Sequence, residues 1–322
     1  MKKFAKVSLI ISVIVMFLGI IIYVIGFVGG GQDDVNRMVE NGELSVGFPF
    51  GDDVPEAPEA PDAPEAPAAP GTSSESGKAV TSVAMEGTEE AALTADGIEK
   101  MVIEIGGGKL TVEAGDVENI QITTDCKDKF KGYIKNGTLY IEGFDLEGNY
   151  LKVTNWDKDR NTAHIIIPKE LAFKETGISL GAGVIEITDI TLGNTNAEVG
   201  AGELKCTNTK SENLNTELGA GAVYMENIVA GESEITVAMG DAVLSGMFNG
   251  DMDLECSMGN LDVEINGNEN DFNYSVEAAM GSAEIAGKSY EGLAAEKEVD
   301  NGADKTINAE VSMGDIEISF TK

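Results

Sequence analysis

From Ile98 to Phe320, short runs of Val, Ile, Thr and Met alternate with polar residues and are cut by Gly, Asn and Asp. A period of two, bounded by turn residues, predicts β-strands with one face buried. Within this region Asn136-Gly137 lies between two alternating runs, which predicts a two-residue type I′ hairpin. Ile165-Ile-Ile-Pro168 predicts an apolar strand stopped by proline. Residues 7–28 differ: they carry no charge and are dominated by Ile, Val, Leu and Phe. As a helix, 22 such residues rise roughly 33 Å, enough to cross a bilayer's hydrocarbon core.

The strand-rich region repeats. Glycines 106, 181, 200, 219, 240, 259, 281 and 314 stand in one local pattern, written for example SLGAGVI, EVGAGEL, ELGAGAV, AMGDAVL, SMGNLDV and SMGDIEI, and five of the intervals are 19, 19, 21, 19 and 22 residues. The residue before each glycine is apolar: Ile105, Leu180, Val199, Leu218, Met239, Met258, Met280 or Met313. So is the residue four after it: Leu110, Ile185, Leu204, Val223, Leu244, Val263, Ile285 or Ile318. These positions differ by an odd number, so in one straight strand they would face opposite sides. The chain must therefore turn between them, and glycine, free to take positive φ, is expected to make the corner.

A coil of about 20 residues with one buried face must stack on its neighbours. The pattern predicts an all-β, single-stranded β-solenoid (β-helix) over residues 97–322. Residues 97–170 form an irregular capping part with the hairpin, and 171–322 the regular coils. A β-sandwich is the alternative, but it needs no fixed residue type at a fixed offset. The interval from Gly281 to Gly314 exceeds one coil, and the excess at 287–305, with Tyr290, reads as a polar surface insertion.

Ahead of the solenoid, residues 1–6 contain Lys2, Lys3 and Lys6, while acidic residues follow the apolar stretch. By the positive-inside rule, 1–6 is a cytoplasmic N-terminus, 7–28 a single transmembrane helix, and the rest extracytoplasmic at the cell membrane. A cleaved secretory signal competes with this reading, but the apolar run is long for one and no A-x-A site follows. Residues 29–96 predict a disordered Pro/Ala/Glu-rich linker. Seven of the chain's eight prolines fall between Pro49 and Pro70, every third residue from Pro55, as in a polyproline II stalk.

Charge then narrows the function. The chain carries 56 acidic against 22 basic residues, a net −34. Such a surface repels nucleic acid and anionic headgroups and reads first as a solvated, non-adhering exterior, with attraction of cationic peptides or divalent ions as the sharper alternative. Arg37 and Arg160 are the only arginines and His164 the only histidine. A polysaccharide lyase would need basic groups to abstract a proton and steady the resulting anion, so a carbohydrate-active enzyme is a remote alternative. Cys126, Cys206 and Cys256 lack metal or redox spacing and read as small hydrophobes. The methionines before Gly240, Gly259, Gly281 and Gly314 could suggest a soft-metal site, but their fixed offset assigns them to a stacked core row. Asp241 and Asp315 faintly resemble calcium-roll repeats, a likeness broken by Asn260 and Ser282 in the same slot. No catalytic, cofactor-binding or metal residue is predicted, and no cofactor.

The strand ending in Ile165-Ile-Ile-Pro168-Lys-Glu, followed by Ile178-Ser-Leu-Gly-Ala-Gly-Val-Ile-Glu-Ile187 and its echoes, resembles bacterial β-strand-repeat proteins described as putative adhesins. The resemblance spans about 98–320. It implies a non-enzymatic, membrane-anchored envelope protein acting as an adhesin or envelope-binding module, or alternatively in sensing or responding to envelope or antimicrobial-peptide stress. The expected partner is an envelope or extracellular component that the sequence does not name, and the oligomeric state is likewise open.

Overall fold

The computed structural model describes residues 81–82, 89–126, 129–144, 161–291 and 295–321. The expected transmembrane helix, the cytoplasmic N-terminus and the Pro-rich stretch lie outside the described residues. Among the described residues no helix is long and apolar enough to cross a membrane. Residues 78–322 form one compact unit.

That unit is built almost wholly of strands. In chain order they are β1 (Thr81–Ser82), β2 (Glu89–Leu93), β3 (Lys100–Ile105), β4 (Lys109–Gly115), β5 (Ile120–Thr124), β6 (Phe130–Lys135), β7 (Thr138–Gly143), β8 (Thr162–Pro168), β9 (Glu175–Leu180), β10 (Val184–Thr188), β11 (Thr191–Val199) and β12 (Glu203–Thr207). They continue with β13 (Lys210–Leu218), β14 (Ala222–Val237), β15 (Asp241–Phe248), β16 (Met252–Cys256), β17 (Asn260–Asn266), β18 (Phe272–Ala278), β19 (Ser282–Ile285), β20 (Lys288–Glu291), β21 (Ala295–Val299), β22 (Lys305–Val311) and β23 (Asp315–Thr321).

Each turn of the solenoid contributes one strand to each of two facing layers. Layer A stacks β7, β3, β9, β11, β13, the second half of β14, β16, β22 and β18 in parallel. Layer B stacks β8, β4, β10, β12, the first half of β14, β15, β17, β23 and β19 in parallel. That makes nine levels. Alternate residues point inward: β17 reads exposed, buried, exposed along its whole length. Inward residues of layer B form one row across the levels, Ile165, Val112, Ile187, Cys206, Met225, Leu244, Val263, Ile318 and Ile285, all buried. Cys206 is a small hydrophobe in that row, and Cys256 holds the same role in layer A beside Val237 and Val311.

The corner differs from the expected one in alignment and in cause. It is three residues long, and the conserved contact is made by its third residue. Gly108, Gly183, Gly202, Gly221, Gly240, Gly259, Gly314 and Gly281 form one column. A Cβ on any of the last seven would come within 2.0–2.6 Å of the carbonyl oxygen of the neighbouring level's glycine. The glycine before Asp241 therefore matches Gly221, not Gly219, and the period from Gly183 to Gly259 is a uniform 19. The interval of 21 from Gly219 to Gly240 joins the first corner residue of one level to the third of the next. Only Gly108 of this column has positive φ, at 72°, so glycine is required mainly by close backbone stacking.

Positive φ belongs to the opposite corner. Asp189, Asn208 and Asn227 take φ of 61°, 54° and 54° at 19-residue spacing, a conformation that short polar side chains tolerate. Their side chains form a ladder: Asn208 Nδ2 donates to Asp189 Oδ1 at 2.8 Å, and Asn227 Nδ2 to Asn208 Oδ1 at 2.7 Å.

The shift also moves the methionines. Val237, Cys256, Val311 and Ala278 fill the buried end position of layer A, while Met280 and Met313 are 66% and 43% exposed and Met239 and Met258 half-buried. The expected methionine core row is thus an outer row: each methionine is the middle residue of its corner, pointing away from the interior.

Stacking order departs from chain order at both ends. The last strands, β22 and β23, enter between β16–β17 and β18–β19. At the other end β3 and β4 enter between β7–β8 and β9–β10. Antiparallel strands then cover the outermost parallel edges: β21 on β18, β20 on β19, β6 on β7 and β5 on β8. The polar insertion is this cap, and Tyr290 packs half-buried against the core instead of projecting from a loop. The linker expected to reach 96 also ends too late: β2 pairs with β5, and Leu93 is fully buried. The hairpin is as read, with Asn136 and Gly137 at φ 52° and 75° between β6 and β7.

Candidate binding face

Outward side chains inherit the same stacking. On layer A the slot next to the glycine corner runs Glu142, Glu104, Ser179, Glu198, Glu217, Thr236, Glu255, Glu310, Glu277 and Glu296. Successive strands are about 4.8 Å apart, so eight glutamates stand in a row broken only by a serine and a threonine. A parallel slot holds Gly177, Asn196, Asn215, Glu234, Asp253 and Asn308. In a third, Asn213 Nδ2 donates to Asn194 Oδ1 at 2.8 Å. Between these rows lies an open groove of about 650 Å³ bordered by Glu175, Asn196, Asn215, Glu234, Asp251 and Asp253. Gly177 leaves one end open, since nothing lies within 4 Å of where its Cβ would be.

Positive charge is gathered toward the two ends, with Lys288, Lys297 and Lys305 in β20, β21 and β22 at one and the following pairs at the other. Lys100 pairs with Glu175, Lys174 with Glu99 at 2.7 Å, Lys109 with Glu186 at 2.9 Å, and Lys169 with Asp116 at 2.9 Å. The Lys174 ammonium holds Glu99 below the usual glutamate range, through its hydrogen bond first and its charge second. From residue 211 to 287 the sequence contains no Lys, Arg or His but 15 Asp and Glu. The middle of the solenoid is therefore an anionic surface made of carboxylates and amides. It can accept hydrogen bonds and charge from ammonium or guanidinium groups along its length.

The outer face of layer B is less uniform. Tyr224 and Val243, each 40% exposed, neighbour a groove of about 530 Å³ lined by Asp241, Asp262, Ser282, Glu284, Asp315 and Glu317. Burial pushes the Asp262 carboxyl up, helped by Glu317, Asp241 and Asp315. His164 Nε2 lies 2.9 Å from Glu113 Oε1 near the other end of this face, both half exposed. Asp241 and Asp315 do converge, in one column with Asn260 and Ser282. Among the described residues no group of three or more His, Cys, Asp or Glu is placed to hold a metal ion.

The glutamate row is hidden in the sequence because the Met-Gly levels stand two residues out of step with the Gly-Ala-Gly levels when all are matched on their first glycine, which separates Glu255 and Glu310 from Glu198 and Glu217. Aligning the corners on their third residue exposes it.

The profile of the family Toastrack DUF4097 matches residues 98–296. Among solved structures, the chain is similar to a putative cell adhesion protein of Clostridium sporogenes ATCC 15579, at 15% identity and a TM-score of 0.34 over 72% of this chain and 98% of that one. It is likewise similar to a putative adhesin of Bacteroides fragilis NCTC 9343, at 14% identity and a TM-score of 0.38 over 71% and 96%. A putative lipid binding protein of Parabacteroides distasonis ATCC 8503 matches at 14% identity and a TM-score of 0.36 over 73% and 96%. No curated protein matches the chain. With the matched residues covering well over half its length, including most of the stacked levels, the chain belongs to the Toastrack family DUF4097.

Proposed function

We propose that the protein is a non-enzymatic binding module, anchored at the cell membrane by residues 7–28 and held outside the cell, whose layer A face engages a cationic component of the envelope or its surroundings. The observation that carries this reading is the row of eight glutamates beside an open polar groove, whose members Glu217, Glu255 and Glu277 lie in a stretch of sequence, 211–287, without basic residues. A flat parallel array of carboxylates matches an extended chain bearing Lys or Arg better than it matches a small buried substrate. The apolar span and its flanking lysines support the anchor, and the Pro-rich stretch supports a spacer between membrane and module. The adhesion role suggested for the relatives fits a solenoid that displays its face away from the membrane.

The test is binding of the unit 78–322 to cells, wall fragments and a set of Lys/Arg-rich peptides. Binding should fall at least tenfold between about 0.05 and 0.3 M NaCl, because exposed charges lose reach as the Debye length shrinks. Replacing Glu198, Glu217, Glu255 and Glu310 by Gln should weaken it by a similar factor. Binding that ignores both salt and these substitutions would sink the electrostatic reading. Capture of cationic antimicrobial peptides is the second reading, favoured by the same row. It predicts comparable affinity for peptides of unrelated sequence and equal charge, whereas an adhesin should prefer one partner.

A further inference from the structure

The methionine row has no structural duty that smaller residues do not already perform. The middle residue of the glycine corner is Gly107, Ala182, Ala201 and Ala220 on four successive levels, then Met239, Met258, Met313 and Met280 on the next four. Backbone hydrogen bonds fix this order: Met239 N–H donates to Gly219 O at 2.8 Å, Met258 N–H to Ala238 O at 2.9 Å, Met313 N–H to Ser257 O at 2.7 Å and Met280 N–H to Ser312 O at 2.8 Å. Where the slot holds glycine or alanine the solenoid stacks equally well, so the methionines are not needed to fill space. All four reach solvent, two of them strongly. Exposing a large apolar side chain gains nothing for folding.

We propose that Met239, Met258, Met313 and Met280 form a thioether site for a soft monovalent cation of the Cu(I) and Ag(I) class. Thioether sulfur is a soft ligand and selects such ions over hard ones. Spacing suits it: adjacent levels are about 4.8 Å apart, and two metal–sulfur bonds of about 2.3 Å, the length seen for zinc–thiolate, span about 4.6 Å end to end. A cation can therefore bridge the side chains of neighbouring levels without moving the backbone, and the central pair, Met258 and Met313, has a thioether on either side. Each side chain has three rotatable bonds with which to adjust. Asp241 and Asp315, two residues after Met239 and Met313, add negative charge that raises the local cation concentration.

The competing soft ligands are the thiols and the thioether of Met247, which is 47% exposed outside the row and whose methyl resonance should stay in place. Cys206 and Cys256 are buried, with burial pushing their thiols up to about 12 and about 11, which keeps them protonated. Cys126 is half-buried, so the experiment uses the full chain in detergent carrying Cys126→Ser. With methyl-¹³C methionine, one equivalent of Ag(I) should displace the methyl resonances of the four row methionines while those of buried Met101 and Met252 stay in place. Met258→Leu with Met313→Leu keeps bulk and apolarity but removes sulfur, and should lower Ag(I) affinity at least tenfold with the thermal midpoint unchanged. The proposal is overturned if the four resonances do not move, if the double variant binds as tightly, or if millimolar Ca(II) displaces Ag(I), which would place the ion on carboxylates.

Discussion

At the scale of single residues, the fold turns on atoms that are missing. In the third corner column a Cβ at Gly221 would lie 2.0 Å from Gly202 O, and at Gly259 2.1 Å from Gly240 O. Carbonyl oxygens in a stacked backbone cannot swing aside, so relief requires spreading two levels and loosening the hydrogen bonds between them. The first corner column is looser, at 2.6–3.0 Å for Gly181, Gly200 and Gly219, and there the next level carries Ala238. Gly221→Ala should cost about 3 kcal/mol or more, on the scale of overpacking in a rigid core. Gly177→Ala, mid-strand with open space where its Cβ would be, should be neutral or stabilise by up to about 1 kcal/mol. Denaturant midpoints of the two variants check the contrast, and equal effects would remove close stacking as the reason for the column. The sequence showed that glycine recurs but not why. Its spacing fits positive φ as well as it fits backbone contact, and only the stacked neighbours distinguish them. The Asn208–Asn227 corner was legible in principle, as Asn at 19-residue spacing in two coils, but two occurrences carry too little repetition to stand out.

At the scale of strands, what the sequence concealed is the exchange of order at the ends. Local pattern identifies β22 and β23 as a coil like any other, but nothing in either strand states that it inserts between two earlier ones. The separation of 55 residues between Gly259 and its stacking partner Gly314 is a long-range fact. The exchange leaves β18 and β19 as the outermost parallel strands, and the insertion supplies β21 and β20 to cover them antiparallel. An uncovered parallel edge is a template for another chain. Replacing residues 287–300 by a short Gly/Ser linker should therefore leave the internal levels folded but turn a single species into a concentration-dependent self-associating one. Light scattering over a range of concentrations reads this directly. A variant that stays at one mass would show that the cap serves another purpose. The hairpin β6–β7 does the equivalent at the opposite end, and there the Asn-Gly signal made it readable.

At the scale of the whole molecule, stability and binding draw on the same charge. Two unit charges about 4.8 Å apart in water repel by roughly 0.9 kcal/mol, and the repulsion fades within a Debye length of about 8 Å at physiological salt. A row of carboxylates built for a cationic partner is therefore a modest liability when no partner is present, and the fold should become more stable as that repulsion is relieved. The Asp262 carboxyl gives this a sign. Burial and the nearby Glu317, Asp241 and Asp315 raise its folded pKa above the unfolded value near 3.8. Over the window between those values the folded state binds more protons than the unfolded, so stability grows as pH falls through it. Glu99 acts in reverse: its pKa is lowered from 4.5 by Lys174, so its contribution is lost only below that value. The thermal midpoint of 78–322 should accordingly rise as the pH falls from 7 into the carboxylate range, and fall again once the pH is far enough below 4.5 for Glu99 to lose its charge. Asp262→Asn should be the more stable form at pH 7, by less than about 1 kcal/mol as suits a partly exposed charge, and should lose that advantage as the pH falls toward 3.8. Calorimetric scans at low salt, where the effect is largest, compare the two proteins. A midpoint that falls steadily from pH 7 downward would mean that paired carboxylates, rather than the repelling rows on the two outer faces, govern the stability of this solenoid.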